Sequence, residues 1–371
     1  IYSIELLHKE GGGGDNAAIT WDWRSPGNWN TPPNGSDPLP GAVLTHQVGG
    51  TFRDDTSPIN PLQTDDRELI TSQTWTLEEG TTLTYSGTLS GNGDLIKAGP
   101  GTLILTEVGP RTGNTIVSEG TLRLDGGGWY KGYVGGSGSL VILDGATAVN
   151  VKVHAFGSGA DPSRGIVINR GRLLIQRSTY VGDVFMLAGT ISNTEGSSED
   201  FRTRIGEGGS KITTALADAP SIINAPLNFR GDATLEVRNS PGENDLIING
   251  ALSRNRDGRV TKTGSGTLLL TSSESTYSGD FLIDAGTVTI DGSLGDQAQV
   301  IVSANAGSTL NGDGGIAGIV SNSGLVSPGK IGPGILSIGQ YSQSSTGTLQ
   351  VRIGGTLPGE GFDQLLVAGN A

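Results

Sequence analysis

Hydrolysis of a glycosidic bond needs two carboxylates at close range. The chain has two adjacent pairs, Asp54-Asp55 and Asp65-Asp66. Both sit among prolines in stretches that read as loop, and the three histidines, His8, His46 and His154, are scattered. Solvated loop acids are the better reading, so no catalytic residue is assigned and an enzyme is not expected. A Gly-x-Ser-x-Gly turn between strand and helix, which would expose a serine nucleophile, does not occur. Asn311-Gly312-Asp313-Gly314-Gly315 offers oxygen ligands suited to calcium, the one cation the sequence brings to mind. The rest of a calcium loop is missing, so a turn is favoured and no cofactor is assigned.

Binding chemistry has more candidates. Trp21, Trp23 and Trp29 lie within nine residues of one another, followed by Pro32-Pro33 and Pro38-Leu39-Pro40-Gly41. Such rings either pack as a lid or present a platform to a glycan. Arg230-Gly231-Asp232 matches a tripeptide that some adhesion receptors read, but it reads better as a turn between strands. Arg254, Arg256, Arg259 and Lys262 form a basic group that reads as a solvated face. In residues 1–10, Tyr2, Ile4, Leu6 and His8 share one face of an extended strand, and Gly11 to Gly14 follow as a flexible hinge. That arm is either a frayed first strand or a donor strand that pairs with an exposed sheet edge of the next molecule.

The elements that must carry these residues are set by a repeat. Lys97-Ala98-Gly99-Pro100-Gly101-Thr102-Leu103-Ile104-Leu105-Thr106 returns as Lys262-Thr263-Gly264-Ser265-Gly266-Thr267-Leu268-Leu269-Leu270-Thr271. Each copy is followed, about 20 residues on, by a second glycine turn and strand, Gly120-Thr121-Leu122-Arg123-Leu124 and Gly286-Thr287-Val288-Thr289-Ile290. Further glycine-led strands start at Gly138, Gly171, Gly189, Gly307, Gly324, Gly334 and Gly347. Units of this kind bury their apolar faces only against their neighbours, which is the signature of a solenoid. In the two copies Leu103 and Leu105, and Leu268 and Leu270, point inward while the threonines point out. About 300 residues in coils of about 22 make roughly 14 coils. Residues 197–219 read as an excursion from the stack, and no convincing amphipathic helix is present.

Composition agrees. Of 371 residues 62 are Gly and only 5% are aromatic, which suits turns between many short strands and a thin aliphatic core. A net charge of −13 disfavours nucleic acid and anionic membrane. No apolar run is long enough for a membrane-spanning helix. The absence of cysteine suits a secreted bacterial surface protein. Three regions are expected: an arm and hinge over 1–14, a Trp/Pro-rich cap over 15–70 and a parallel β-helix over 71–371.

The two copies resemble the passenger-associated transport repeat of autotransporter-type proteins: a Lys, a Gly-x-Gly-Thr-Leu strand and a later Gly-Thr-Leu strand. Residues 307–371 are similar to the segment that commonly follows it, through Gly312-Asp313-Gly314-Gly315, Ser327-Pro328-Gly329 and Phe362-Asp363-Gln364-Leu365. Residues 20–45 look like the Trp-rich opening found ahead of such repeats. The resemblance implies an all-β, right-handed parallel β-helix, or β-solenoid, on a bacterial surface or secreted from it. It also implies an adhesin, a surface fibre or a scaffold. The favoured expectation is a rigid structural rod that self-associates into filaments by donation of residues 1–10. An adhesin contacting a cell-surface or glycan partner through Trp21, Trp23 and Trp29 is the alternative. A polysaccharide-degrading β-helix is the least favoured, since no aspartate, histidine and arginine set like that of pectin-cleaving hydrolases is found.

Overall fold

The structure is a computed structural model that describes residues 62–369 except 108, 127–137, 154, 157–164, 195–196, 203–205, 296 and 306. The described residues all lie in the second of the chain's two units, Gly49–Ala371.

Short runs of Thr, Val, Ile and Leu alternate inward and outward, and glycine turns break them before they exceed a few residues. Among the described residues the result is strands without helix. The strands form a parallel β-helix. One sheet has 14 strands and a second has 15, and in each a strand pairs with its counterpart from the next coil rather than with its neighbour in sequence. Every strand-to-strand pairing is parallel, for example Leu83 with Leu103 and Leu103 with Leu122. Connections between parallel strands take the right-handed sense. A four-stranded third sheet closes the coil over Thr179–Tyr180, Phe201–Arg202, Leu227–Phe229 and Leu252–Arg254.

The core is a set of inward ladders. One runs Leu83, Leu103, Leu122, Ala148, Leu173, Ile191, Ile223, Ile248, Leu270 and Ile290, in register from coil to coil and buried throughout. Each large aliphatic side chain buried in this way contributes about 1.5–3 kcal/mol. Thr102 and Thr267 face outward, as the alternation predicts, and Leu103, Leu105, Leu268 and Leu270 face the core. Leu269 points outward yet is buried, in register between Ile247 and Thr289.

Residues 197–219 depart from expectation. They hold the strand Phe201–Arg202 in the third sheet and Gly206–Thr214 in the second. Ile212 pairs with Val184 on one side and Leu235 on the other, so neighbouring coils supply the regularity that local composition hides. A register shift between Gly206 and Ser210 absorbs the extra residues. The stack also takes in residues ahead of Thr71. Leu62–Gln63 pairs with Thr82–Tyr85, and Arg67–Leu69 with Leu89–Gly91.

Candidate functional site

The lysine that opens each repeat copy is the chain's unexpected polar feature. Alternation along Leu95–Ala98 sends Lys97 inward, in register between Trp75 and Val117. Along Arg259–Thr263 it sends Lys262 inward, between Leu235 and Ile283. Both side chains are fully buried. An ammonium in an apolar core costs several kcal/mol unless its three donors are met. Here they are met by backbone carbonyls. Lys262 Nζ donates to Gly264 O at 2.6 Å, Gly266 O at 2.5 Å and Ala285 O at 2.7 Å. Lys97 Nζ donates to Gly99 O, to Glu119 O at 2.9 Å and to Ala98 O at 3.3 Å.

Each cage therefore joins two coils. Two carbonyls belong to the glycine turn just after the lysine, and the third to the turn one coil later. This geometry accounts for the repeat's spacing. Gly120 and Gly286 follow the third carbonyl and have φ of 68° and 69°. A side chain at either glycine would run into the lysine ammonium. Burial pulls both ammonium groups down from the ordinary 10.5 to about 8, against the opposing pull of Glu119 on Lys97 and Asp245 on Lys262.

Lys262 was expected on a solvated basic face with Arg254, Arg256 and Arg259; it is interior instead, because strand parity turns it toward the core. Arg254 Nε donates to Ser278 Oγ at 3.1 Å, and Arg259 lies 3.3 Å from Asp280. Arg254, Arg259 and Asp280 line an open cleft of about 710 Å³ with Asp232 and Asp257. Its acids are already engaged: Asp257 lies 3.7 Å from Arg254, and Asp232 Oδ1 accepts the Arg259 N–H at 2.9 Å. The cleft is a patchwork of ion pairs and N–H contacts.

Arg111 is a third interior cation, and sequence reasoning missed it. It is fully buried, and its Nη1 donates to the carbonyls of Gly93, Gly113 and Asn114 at 3.2, 2.9 and 2.6 Å. Burial pulls it down to about 10, against the opposing pull of Asp94. Most of its partners lie within the next four residues, and Gly93 on the preceding coil supplies another.

The remaining candidates fall as follows. Arg230 lies 5.3 Å over the Tyr180 ring and Arg202 lies 5.7 Å from it. Gly231 already begins a strand, so the tripeptide turns a corner with its arginine laid on an aromatic face. Asp313 Oδ1 accepts the Ile335 N–H at 3.1 Å, and Gly312 pairs antiparallel with Gly329. Among the described residues no three of His, Cys, Asp and Glu gather around a common point for a metal ion. Asp66 Oδ1 accepts the Thr88 N–H at 2.6 Å, so this acid of the second pair caps a turn in the first coils. Asp54, Asp55, the three histidines, Tyr2, Ile4, Leu6, Trp21, Trp23 and Trp29 lie outside the described residues.

At the last coil, Thr348–Leu349 and Gln364–Val367 each pair on one side only among the described residues. The loop between them is fastened by Asp363. Its Oδ2 accepts Arg352 N and Nε, both at 2.8 Å, and its Oδ1 accepts Gly334 N at 2.9 Å. Burial pushes the Asp363 carboxyl up, but these donors outweigh it and hold it below the usual carboxylate range. Ile331, Ile353, Leu357 and Leu366 are exposed here.

A family model described as the passenger-associated-transport-repeat matches residues 95–124 and 260–290, two spans that each contain one complete lysine cage. The chain is also similar to the Adhesin BmaC autotransporter of Brucella suis biovar 1 (strain 1330), with 29% identity over 194 residues. That match covers 48% of this chain and 5% of the relative, so the chain spans a small part of that protein's length. No solved structure matches. Two passenger-associated transport repeats thus lie within one parallel β-helix, and about half of the chain is similar to part of an autotransporter adhesin.

Proposed function

We propose that the chain is a non-enzymatic adhesive scaffold, in which the β-helix is the rigid support and a pattern-breaking segment makes the contact. The observation that carries this reading is the parallel stack itself. Its inward positions are packing residues and its buried lysines are held by backbone carbonyls, which is the build of a rigid support. Similarity to a protein named as an adhesin supports the same reading. The contact is assigned to Trp21, Trp23 and Trp29, whose aromatic faces suit a sugar or another cell-surface group. Beads coated with the chain are expected to hold glycan-bearing cells, and the Trp21→Ser/Trp23→Ser/Trp29→Ser variant to lose most of that attachment. Equal attachment by both would contradict the assignment. Release of reducing sugar from acidic polysaccharides, with or without calcium, would contradict the non-enzymatic part.

A second reading is favoured by the alternation of Tyr2, Ile4, Leu6 and His8 along residues 1–10, ahead of the glycines 11–14. A sheet edge accepts another strand, and this arm has the alternation to supply one to the next molecule. Filaments would then grow head to tail. Deletion of residues 1–14 would abolish assembly if this is correct, and assembly that survives the deletion would exclude it.

A further inference from the structure

A solenoid with aliphatic ladders has a register problem. Leu, Ile and Val fit on almost any neighbouring coil so long as inward positions match, so a chain that skips one coil keeps its hydrophobic pattern. The ladder through Lys97 runs on as Val117, Ile142, Ile168 and Met186, which hydrophobic burial alone barely distinguishes. A buried polar group can remove such degeneracy, because it is satisfied in one arrangement only.

The turns supply the other half of the match. Among the described turns that enter the 14-stranded sheet, those at Gly120 and Gly286 alone put a left-handed glycine immediately before the first residue of the strand, Thr121 and Thr287. At four other turns the left-handed residue comes one position earlier: Gly145 before Thr147, Arg170 before Arg172, Ala188 before Thr190 and Gly307 before Thr309. The two exceptional turns are the ones whose carbonyls, Glu119 O and Ala285 O, complete the lysine cages. Moving the left-handed residue along the chain re-aims the carbonyl that precedes it. A lysine facing one of the other turns therefore loses its third acceptor while it stays desolvated.

We propose that each buried lysine and the turn one coil later are a matched pair that sets coil-to-coil register, Lys97 with Glu119-Gly120 and Lys262 with Ala285-Gly286. The pair acts as a key during stacking: correct addition of the next coil closes the cage, and a skipped coil leaves an ammonium without its third acceptor. The repeat is then a checkpoint in an otherwise permissive ladder, which gives its lysine and second glycine turn a common purpose.

The chain has no cysteine, so engineered pairs report register cleanly. Thr267 is in register with Thr287, and Thr287 with Thr309. In the full chain, Thr267→Cys/Thr287→Cys should cross-link after refolding from denaturant, and Thr267→Cys/Thr309→Cys should not. Adding Lys262→Met should raise the 267–309 cross-link several-fold above background. The equivalent pair at the first repeat, Thr102→Cys/Thr121→Cys, should stay native, since that register is set by Lys97. Leu235→Ala, which weakens the same ladder without touching the cage, is the control and should leave the 267–309 cross-link at background. The proposal is overturned if Lys262→Met and Leu235→Ala give the same cross-links. It is also overturned if Lys262→Met abolishes native cross-linking at both repeats together, which would reduce the lysine to a contributor to overall stability.

Discussion

A buried lysine is costly, and the two in this chain are tolerated because each ammonium finds backbone carbonyls at two levels of the stack. Lys262→Met leaves those carbonyls without their donor and is expected to cost about 3 kcal/mol in denaturant unfolding. Lys211→Met removes an ion pair with Glu236 from a half-exposed site and should cost no more than about 1 kcal/mol. The cages also set a pH dependence. Burial holds both lysines at about 8 in the folded chain against 10.5 ordinarily. Between those values the unfolded chain binds more protons than the folded one, so stability contributed by these groups rises with pH. The gap in unfolding free energy between the parent and the Lys97→Met/Lys262→Met variant should widen from about pH 8 to about 10.5; a gap that narrows would contradict the assignment. None of this was legible locally. A lysine before a glycine turn looks like a solvated charge until the coil above supplies its third acceptor.

At the scale of the element, strand parity decides what a substitution does. Val141 and Ile142 are neighbours on one strand; Val141 is half-buried on the outer face, and Ile142 is fully buried in the ladder below Val117. Ile142→Asp places a charge without a partner in the core and should abolish folding or cost more than about 4 kcal/mol. Val141→Asp should cost no more than about 1.5 kcal/mol, with circular dichroism unchanged. Inward leucines, outward threonines and glycine turns were readable because a period of two and a repeat survive in the sequence. The strand Gly206–Thr214 was not. Its charged and glycine-rich residues carry little strand signal, and its order comes from pairing with Val184 and Leu235 on the adjacent coils. The first coils, over Leu62 to Leu69, are similar. Asp65-Asp66 looks like loop, yet parallel pairing with Thr82–Tyr85 and Leu89–Gly91 draws the flanking residues into strands.

For the molecule as a whole, the stack explains support, and we assign contact to the departures from it. A backbone ladder repeated through 14 and 15 strands resists deformation along its length, and its interior chemistry is spent on holding turns. The sequence marked the stack through its repeats, while no periodicity orients the side chains of the Trp-rich segment to which we assign the contact. Direct imaging of the purified full chain by electron microscopy distinguishes the adhesive scaffold from a filament subunit. The account predicts separate particles that attach to cells through Trp21, Trp23 and Trp29. Fibres with a regular subunit repeat that disappear when residues 1–14 are deleted would contradict it and make strand donation the chain's function.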